Sequence, residues 1–213
     1  LKRSAFACLL LLAVGRAAAG FPDLSSAIVE RDRVTIVVPV EVVGATEDLL
    51  ETWREGIDRT WNRGNQGGPF VICGRQVVFD VRFMPGPARQ GTGHIIFVEP
   101  VGRGERYVSS VWHALGTSPT ESARTGFWSA NLRPTTAAHE FGHILGLMDE
   151  YREYDANGNG MRDPGEGSLP DVRRYPADAW FSLMANEHGV VLERHIREVL
   201  RLHGATEALD CTP

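Results

Sequence analysis

The chain has 213 residues, with 22 Lys or Arg against 27 Asp or Glu, a formal net charge of -5. That length can bury a sizeable core without staples, and the acidic balance makes nucleic acid and anionic lipid poor partners. Lys2 is the only lysine, so Schiff-base and lysine-nucleophile chemistry are excluded from the rest of the chain.

The first stretch, "LKRSAFACLLLLAVGRAAAG", sets Lys2 and Arg3 before an apolar run from Ala5 to Val14, then small residues around Ala17 and Ala19. It reads as a secretory signal peptide over residues 1–19. The run falls short of the roughly 20 residues a spanning helix needs, and no later run is longer. The protein is therefore expected to be secreted or periplasmic, monomeric and without stable membrane insertion. Loss of Lys2, Arg3 and Arg16 with the leader moves the charge from -5 to -8. Of the three cysteines, Cys73 and Cys211 then remain, and in an oxidising compartment they are expected to form one disulfide. The alternative, a cysteine that keeps a metal site latent, has almost no pro-segment to act from.

"VTIVVPVEVV" (34–43) is a β-branched run, and "TEDLLETWREGIDRTWNRG" (46–64) follows with Thr46 as N-cap, apolar residues at helical spacing and Gly64 as the stop. "RQVVFDVRFMP" (75–85), "GHIIFVEP" (93–100), "RYVSSVWHAL" (106–115) and "TGFWSANL" (125–132) are β-rich runs between Gly and Pro clusters. "RPTTAAHEFGHILG" (133–146) predicts a helix with Thr135 or Thr136 near its start and Gly146 at its end. Residues 147–185 carry little periodicity, and "GVVLERHIREVLRLHGA" (189–205) predicts a closing helix. The fold class is α/β (α+β), with a mixed sheet of about five strands. Residues 20–213 form one domain: an α/β half over 20–146 and a lower half over 147–213.

Within "HEFGHILGLMDEY" (139–151), His139 and His143 are four apart, so a helix projects both from one face, where their imidazoles can share a cation. Glu140 lies beside the first, within reach of a water on that cation, the H-E-x-x-H arrangement of zinc hydrolases. Gly146 can take the left-handed conformation that turns the chain back beneath the metal. Asp149 then falls where a third ligand would lie.

"HEFGHILGLMD" resembles the metzincin consensus H-E-x-x-H-x-x-G-x-x-H with aspartate in the last place, as in the snapalysin-like branch of bacterial secreted metallopeptidases. The continuation "DEY" is similar to other bacterial metallopeptidases with a Gly-Leu-x-Asp-Glu-Tyr run. A metzincin also carries a methionine turn beneath the zinc, and "SLMAN" (182–186) offers Met184. The resemblance covers residues 34–203 as an order of elements, with its specific motifs at 139–151 and 182–186. It implies zinc on His139, His143 and Asp149, Glu140 as general base and Met184 in the turn. It also implies an edge strand before the active-site helix that pairs with an extended substrate, for which "RYVSSVWHAL" is the candidate. Where several metzincins carry a tyrosine two residues after the methionine, this chain has Asn186; any tyrosine role would pass to Tyr151, Tyr154 or Tyr175. A thermolysin-like ligand set with Glu166 is the rival, but Glu166 lies in a Gly and Pro context where that arrangement wants a helix.

"DANGNGMRDPGE" (155–166) matches the calcium-loop pattern D-x-[DN]-x-[DN]-G-x5-E. Asp155, Asn157, Asn159, the Met161 carbonyl, Asp163 and Glu166 would supply oxygens to calcium, with Gly160 at the sharp turn. Pro164 and the flanks do not fit an EF-hand helix pair, so an EF-hand-like loop inserted between the two motifs is the expectation.

His188, His195 and His203 follow the methionine and read as surface or supporting histidines. His94 and His113 sit in strand runs and read as packed. The function expected from all this is a secreted zinc metallopeptidase acting on protein or peptide substrates. The alternatives are a zinc hydrolase of another amide, such as a cell-wall peptide, and a metal-stabilised binding module without turnover.

Overall fold

The computed structural model describes residues 25–64, 67–86, 93–100, 110–112, 125–154, 167–170, 181–186 and 188–211. The leader over 1–19, the loop over 155–166 with all its expected calcium ligands and the rival Glu166, and also His113 and Tyr175, lie outside the described residues.

The main sheet contains β1 (Ser26–Val29), β2 (Arg33–Val43), β3 (Phe70–Ile72), β4 (Arg75–Pro85), β5 (His94–Glu99), β6 (Ser110–Trp112) and β7 (Thr125–Ser129). Its order is β3-β4-β2-β5-β7-β6, with β1 pairing β2. The interior strands β4, β2, β5 and β7 run parallel, whereas β1, β3 and β6 are antiparallel to their neighbours. All five expected strand runs are present. Ser26–Val29 and Phe70–Ile72 are additional, too short for their periodicity to declare them.

β2 organises this sheet. One of its edges pairs β4 from Arg33 to Val42, while the other pairs β1 over Val34–Val37 and then β5 over Val40–Val43. Pro39, which has no N–H for a ladder, stands where that edge changes partner. Val34, Ile36, Val38, Val40 and Val42 alternate onto one face and are fully buried. They join one core with α1 (Glu47–Ile57) and α2 (Pro134–Ile144).

The Thr46 side chain accepts from the Leu49 N–H at the start of α1, as the sequence predicts. The helix continues as a π-helical turn, Asp58–Asn62, which keeps Trp61 in the core with Leu50, Trp53 and Ile57. The Trp61 indole N–H donates to the Ala138 carbonyl at 2.8 Å, and that of Trp53 donates to Leu132 at 3.3 Å. Both acceptors belong to the chain entering or forming α2, so two buried aromatics set where the H-E-x-x-H helix lies. α2 itself begins with Pro134 at its first position and no side-chain cap from Arg133, and the expected Thr135 and Thr136 follow in its first turn. Proline's missing N–H is one of the unpaired donors there in any case.

The third helix, α3 (Glu193–Leu202), starts four residues later than its periodicity suggests. Gly189 and Val190 are taken up by a turn, with Val190 N–H donating to Phe181 and Leu183 N–H donating to Val190. Beyond α2, β8 (Tyr151–Tyr154) and β9 (Gly167–Pro170) form an antiparallel pair that sets Tyr154 opposite Gly167. The residues on either side of 155–166 thus lie in paired strands. Cys73, at the turn into β4, pairs with Cys211 with their Cα atoms 4.6 Å apart, an arrangement that suits an oxidising compartment. No described helix is long and apolar enough to cross a membrane.

α1 and α2 meet at Gly56, where an added Cβ would come 2.5 Å from the Pro134 carbonyl oxygen and 2.6 Å from Pro134 Cβ. Backbone cannot yield as a side chain does. Gly56→Ala should therefore destabilise the protein by about 1–3 kcal/mol, read as a lowered Tm; an unchanged Tm would show that α1 and α2 do not meet there.

Candidate metal centre

α2 ends in a cap that builds half the site. Gly146 has φ 94°, its N–H bonds to the His143 carbonyl and the Leu147 N–H bonds to Gly142, the paired bonds of a Schellman motif. The cap presents the Leu147 carbonyl to His143, whose Nδ1 lies 2.9 Å from it. On the preceding turn of the helix, His139 Nδ1 lies 2.8 Å from the carbonyl of Leu183. A carbonyl only accepts, so each neutral ring carries its proton on Nδ1 and presents the bare lone pair of Nε2. The rings stand edge to face with centroids 4.9 Å apart.

Both Nε2 atoms face Asp149. Its Oδ1 lies 3.4 Å from His139 Nε2 and 3.2 Å from His143 Nε2, and the three ligand atoms fall within 4.8 Å of one another. That oxygen is buried and has no hydrogen-bond partner among the described residues. Three acceptors therefore converge with no proton between them, unless the rings take up a second one. The donor set fits a cation. Ligands about 2.0–2.1 Å from a tetrahedral ion lie about 3.3 Å from each other, which the two measured separations bracket. Nδ1 protons committed to backbone carbonyls are the usual way a protein orients metal-binding imidazoles.

Charge perturbations agree. Burial works to raise the Asp149 carboxyl, but the two imidazoles beside it outweigh burial and hold it well below the usual carboxylate range. His143 is raised in spite of its burial, chiefly by the Asp149 carboxylate. Protons and a cation thus compete for the same atoms. Glu140, buried beside His139, is pushed up to about 7 by burial first, with the two imidazoles pulling it down and Asp149 pushing it up. Its Oε2 is buried without a hydrogen bond among the described residues.

Met184 is fully buried against the middle of α2. A Cβ on Gly142 would come 2.5 Å from its sulfur, so glycine between the two histidines is what lets Met184 lie there. The turn around it is held by the Ser182 side chain, which accepts from the Met184 N–H at 3.1 Å. This turn supplies the Leu183 carbonyl to His139 and the Met184 carbonyl to the Glu150 N–H at 2.9 Å. Asn186 is exposed and its Oδ1 accepts from the His188 N–H, so its side chain serves the turn. Tyr151 is half-buried at the head of β8.

The turn is supported by His195, one of the histidines that the sequence reads as surface or supporting, and by Glu150, which no motif singles out. Both are buried. The Leu192 N–H donates to His195 Nδ1 at 3.1 Å, which leaves Nε2–H to donate to Glu150 Oε1 at 3.1 Å with Ser182 Oγ at 3.3 Å. Arg194 donates to the other oxygen of Glu150. These partners hold the Glu150 carboxyl below its ordinary value although burial works to raise it. An acid directly after the expected third ligand, paired with a histidine on the apolar side of the last helix, was the available signal. His203 donates from Nε2 to the Leu145 carbonyl at 3.2 Å, and His94 is buried against Ser25 Oγ at 2.9 Å. Neither belongs to the cluster.

No family model matches the chain. No curated protein matches it either.

Removing the Glu150 carboxylate leaves His195 and Arg194 without their acceptor. Glu150→Ala should cost about 2–3 kcal/mol in denaturant unfolding, and Glu150→Gln, which retains an acceptor, distinctly less. Equal losses in the two variants would mean that the network carries no such weight.

Proposed function

We propose that the chain is an exported, metzincin-like, zinc-dependent endopeptidase, with His139, His143 and Asp149 holding the ion and Glu140 as general base. The observation that carries this reading is the convergence of two bare imidazole nitrogens on one carboxylate oxygen, 3.4 and 3.2 Å from it as tetrahedral ligands would be, beside a buried carboxylate. Two imidazoles with one carboxylate suit zinc, whereas calcium and magnesium prefer oxygen alone. Three protein ligands leave a position open, as in catalytic zinc sites, where the ion supplies Lewis acidity and lowers a water's pKa to about 7.

Glu140 follows His139 directly and keeps Oε2 uncommitted. It would take a proton from the attacking water and return it to the departing amine. Met184 against Gly142, with its turn orienting His139, supports the metzincin-like reading. β6 supports a polypeptide substrate: among the described residues it is the outer strand beside β7, it contacts α2, and an outer strand can pair with an extended chain.

Purified from zinc-replete medium, the parent should hold about one catalytic zinc per chain and cleave denatured protein. Asp149→Ala should weaken zinc retention. Glu140→Gln should keep zinc and melt as the parent does, but lose about 10²–10⁴ in kcat. A Glu140→Gln variant as active as its parent would contradict the assignment, and zinc-loaded parent that cleaves no denatured protein would contradict the activity.

A further inference from the structure

At the opposite side of the sheet from β6, β4 is only partly covered among the described residues. β3 pairs with it through Arg75–Val77 and stops. The Gln76 N–H bonds to Asp32 and the Gly86 N–H to Val42, both on the β2 side. By strand alternation the even residues of β4 face β2 and the odd residues direct their backbone groups outward. Phe79 is the first of these beyond β3, and the Asn62 side chain occupies it as a neighbouring strand would. Asn62 Nδ2 donates to the Phe79 carbonyl at 2.9 Å, and Oδ1 accepts from the Phe79 N–H at 2.7 Å. The π-helical turn after α1 carries that asparagine. The next outward groups, on Val81 and Phe83, meet no partner among the described residues.

Alongside this edge runs a groove of about 550 Å³, with Phe79, Asp80 and Val81 on one side and the outer face of α1 and its π-helical turn on the other. That volume is in the range of ligand sites. Most of the charge around it is already paired: Arg54 with Glu51, Arg63 with Asp58 and Arg82 with Asp80. Glu55 and Arg59 are exposed and make no ion pair among the described residues. They sit about one helical turn, roughly 6 Å, apart, Glu55 on α1 and Arg59 on the π-helical turn that continues it. Alternate residues of an extended chain are about 6.6 Å apart.

From this juxtaposition we infer that the open β4 edge and the α1 wall form a docking groove for an extended segment of a partner polypeptide. The segment adds as a strand at Val81 and Phe83 and is selected for a basic and an acidic residue two positions apart, which meet Glu55 and Arg59. Asn62 fixes where the added strand begins. The site is separate from the metal cluster and stands or falls without it.

The test uses fluorescence anisotropy with a labelled, capped heptapeptide, Thr-Thr-Lys-Thr-Glu-Thr-Thr. The parent should bind it roughly five- to tenfold more tightly than the all-threonine peptide. Glu55→Arg should shift preference to Thr-Thr-Glu-Thr-Glu-Thr-Thr, an outcome independent of which way the strand runs. Val81→Pro removes an outward N–H that no described residue uses, and should lose binding of every peptide. If that variant melts early, the same heptapeptide N-methylated at alternate residues decides the point with the parent protein. Its binding should fall at least about tenfold, because it cannot donate to the edge. Absence of binding at millimolar peptide, or equal binding of the N-methylated probe, would overturn the proposal. So would a dimer seen by light scattering that Val81→Pro dissociates, because the edge would then belong to a second copy.

Discussion

Two imidazole rings are held with their Nδ1 protons given to backbone carbonyls, and the rest of the candidate site depends on that commitment. It fixes the tautomer, sets each ring plane, and leaves Nε2 of His139 and His143 as bare acceptors turned toward a third acceptor on Asp149. An arrangement of three converging acceptors is electrostatically unfavourable alone. It becomes favourable when a cation or added protons stand between them. The two carbonyls come from different places. Leu147 is presented by the cap that ends α2, which requires the left-handed Gly146. Leu183 is presented by a turn almost forty residues further on, held against the same helix by Met184 over Gly142.

Because one carbonyl is remote, the cluster is only as well ordered as the turn that carries it. Three contacts secure the turn: Ser182 Oγ to the Met184 N–H, the Met184 carbonyl to the Glu150 N–H, and the pairing of Leu183 with Val190. Glu150 then ties the turn to α3 through His195 and Arg194. Asp149 and Glu150 are thus divided in labour. The first faces the histidines, and the second anchors the strand of chain on which the first is mounted. Above them, Trp53 and Trp61 hold α2 to α1 by indole hydrogen bonds and by aromatic contacts with Trp128 and Phe141.

Much of this was legible where the chemistry is local. The four-residue spacing of His139 and His143, the cap at Gly146, Thr46 before α1 and the five longer strand runs all act within a few residues of themselves, so the sequence displays them. Asp149 was legible because Gly146 dictates where the chain returns. What escaped notice is long-range. Glu150 and His195 are far apart in sequence and ordinary as single residues; only the folded turn makes them partners. β1 and β3 have four and three residues, too few to show a period, and they exist because β2 and β4 offer them an edge. The closing helix begins late because its first apolar residues are taken by backbone pairing with Phe181 and Leu183, which no periodicity records.

Whether His139, His143 and Asp149 share one four-coordinate ion is read by X-ray absorption at the zinc edge of the metal-loaded protein. Two imidazole nitrogens and oxygen scatterers near 2.0–2.1 Å in a four-coordinate shell are expected, with the oxygen contribution altered in Asp149→Ala. A shell of six oxygens, a sulfur scatterer at about 2.3 Å, or a spectrum unchanged by Asp149→Ala would contradict the shared site.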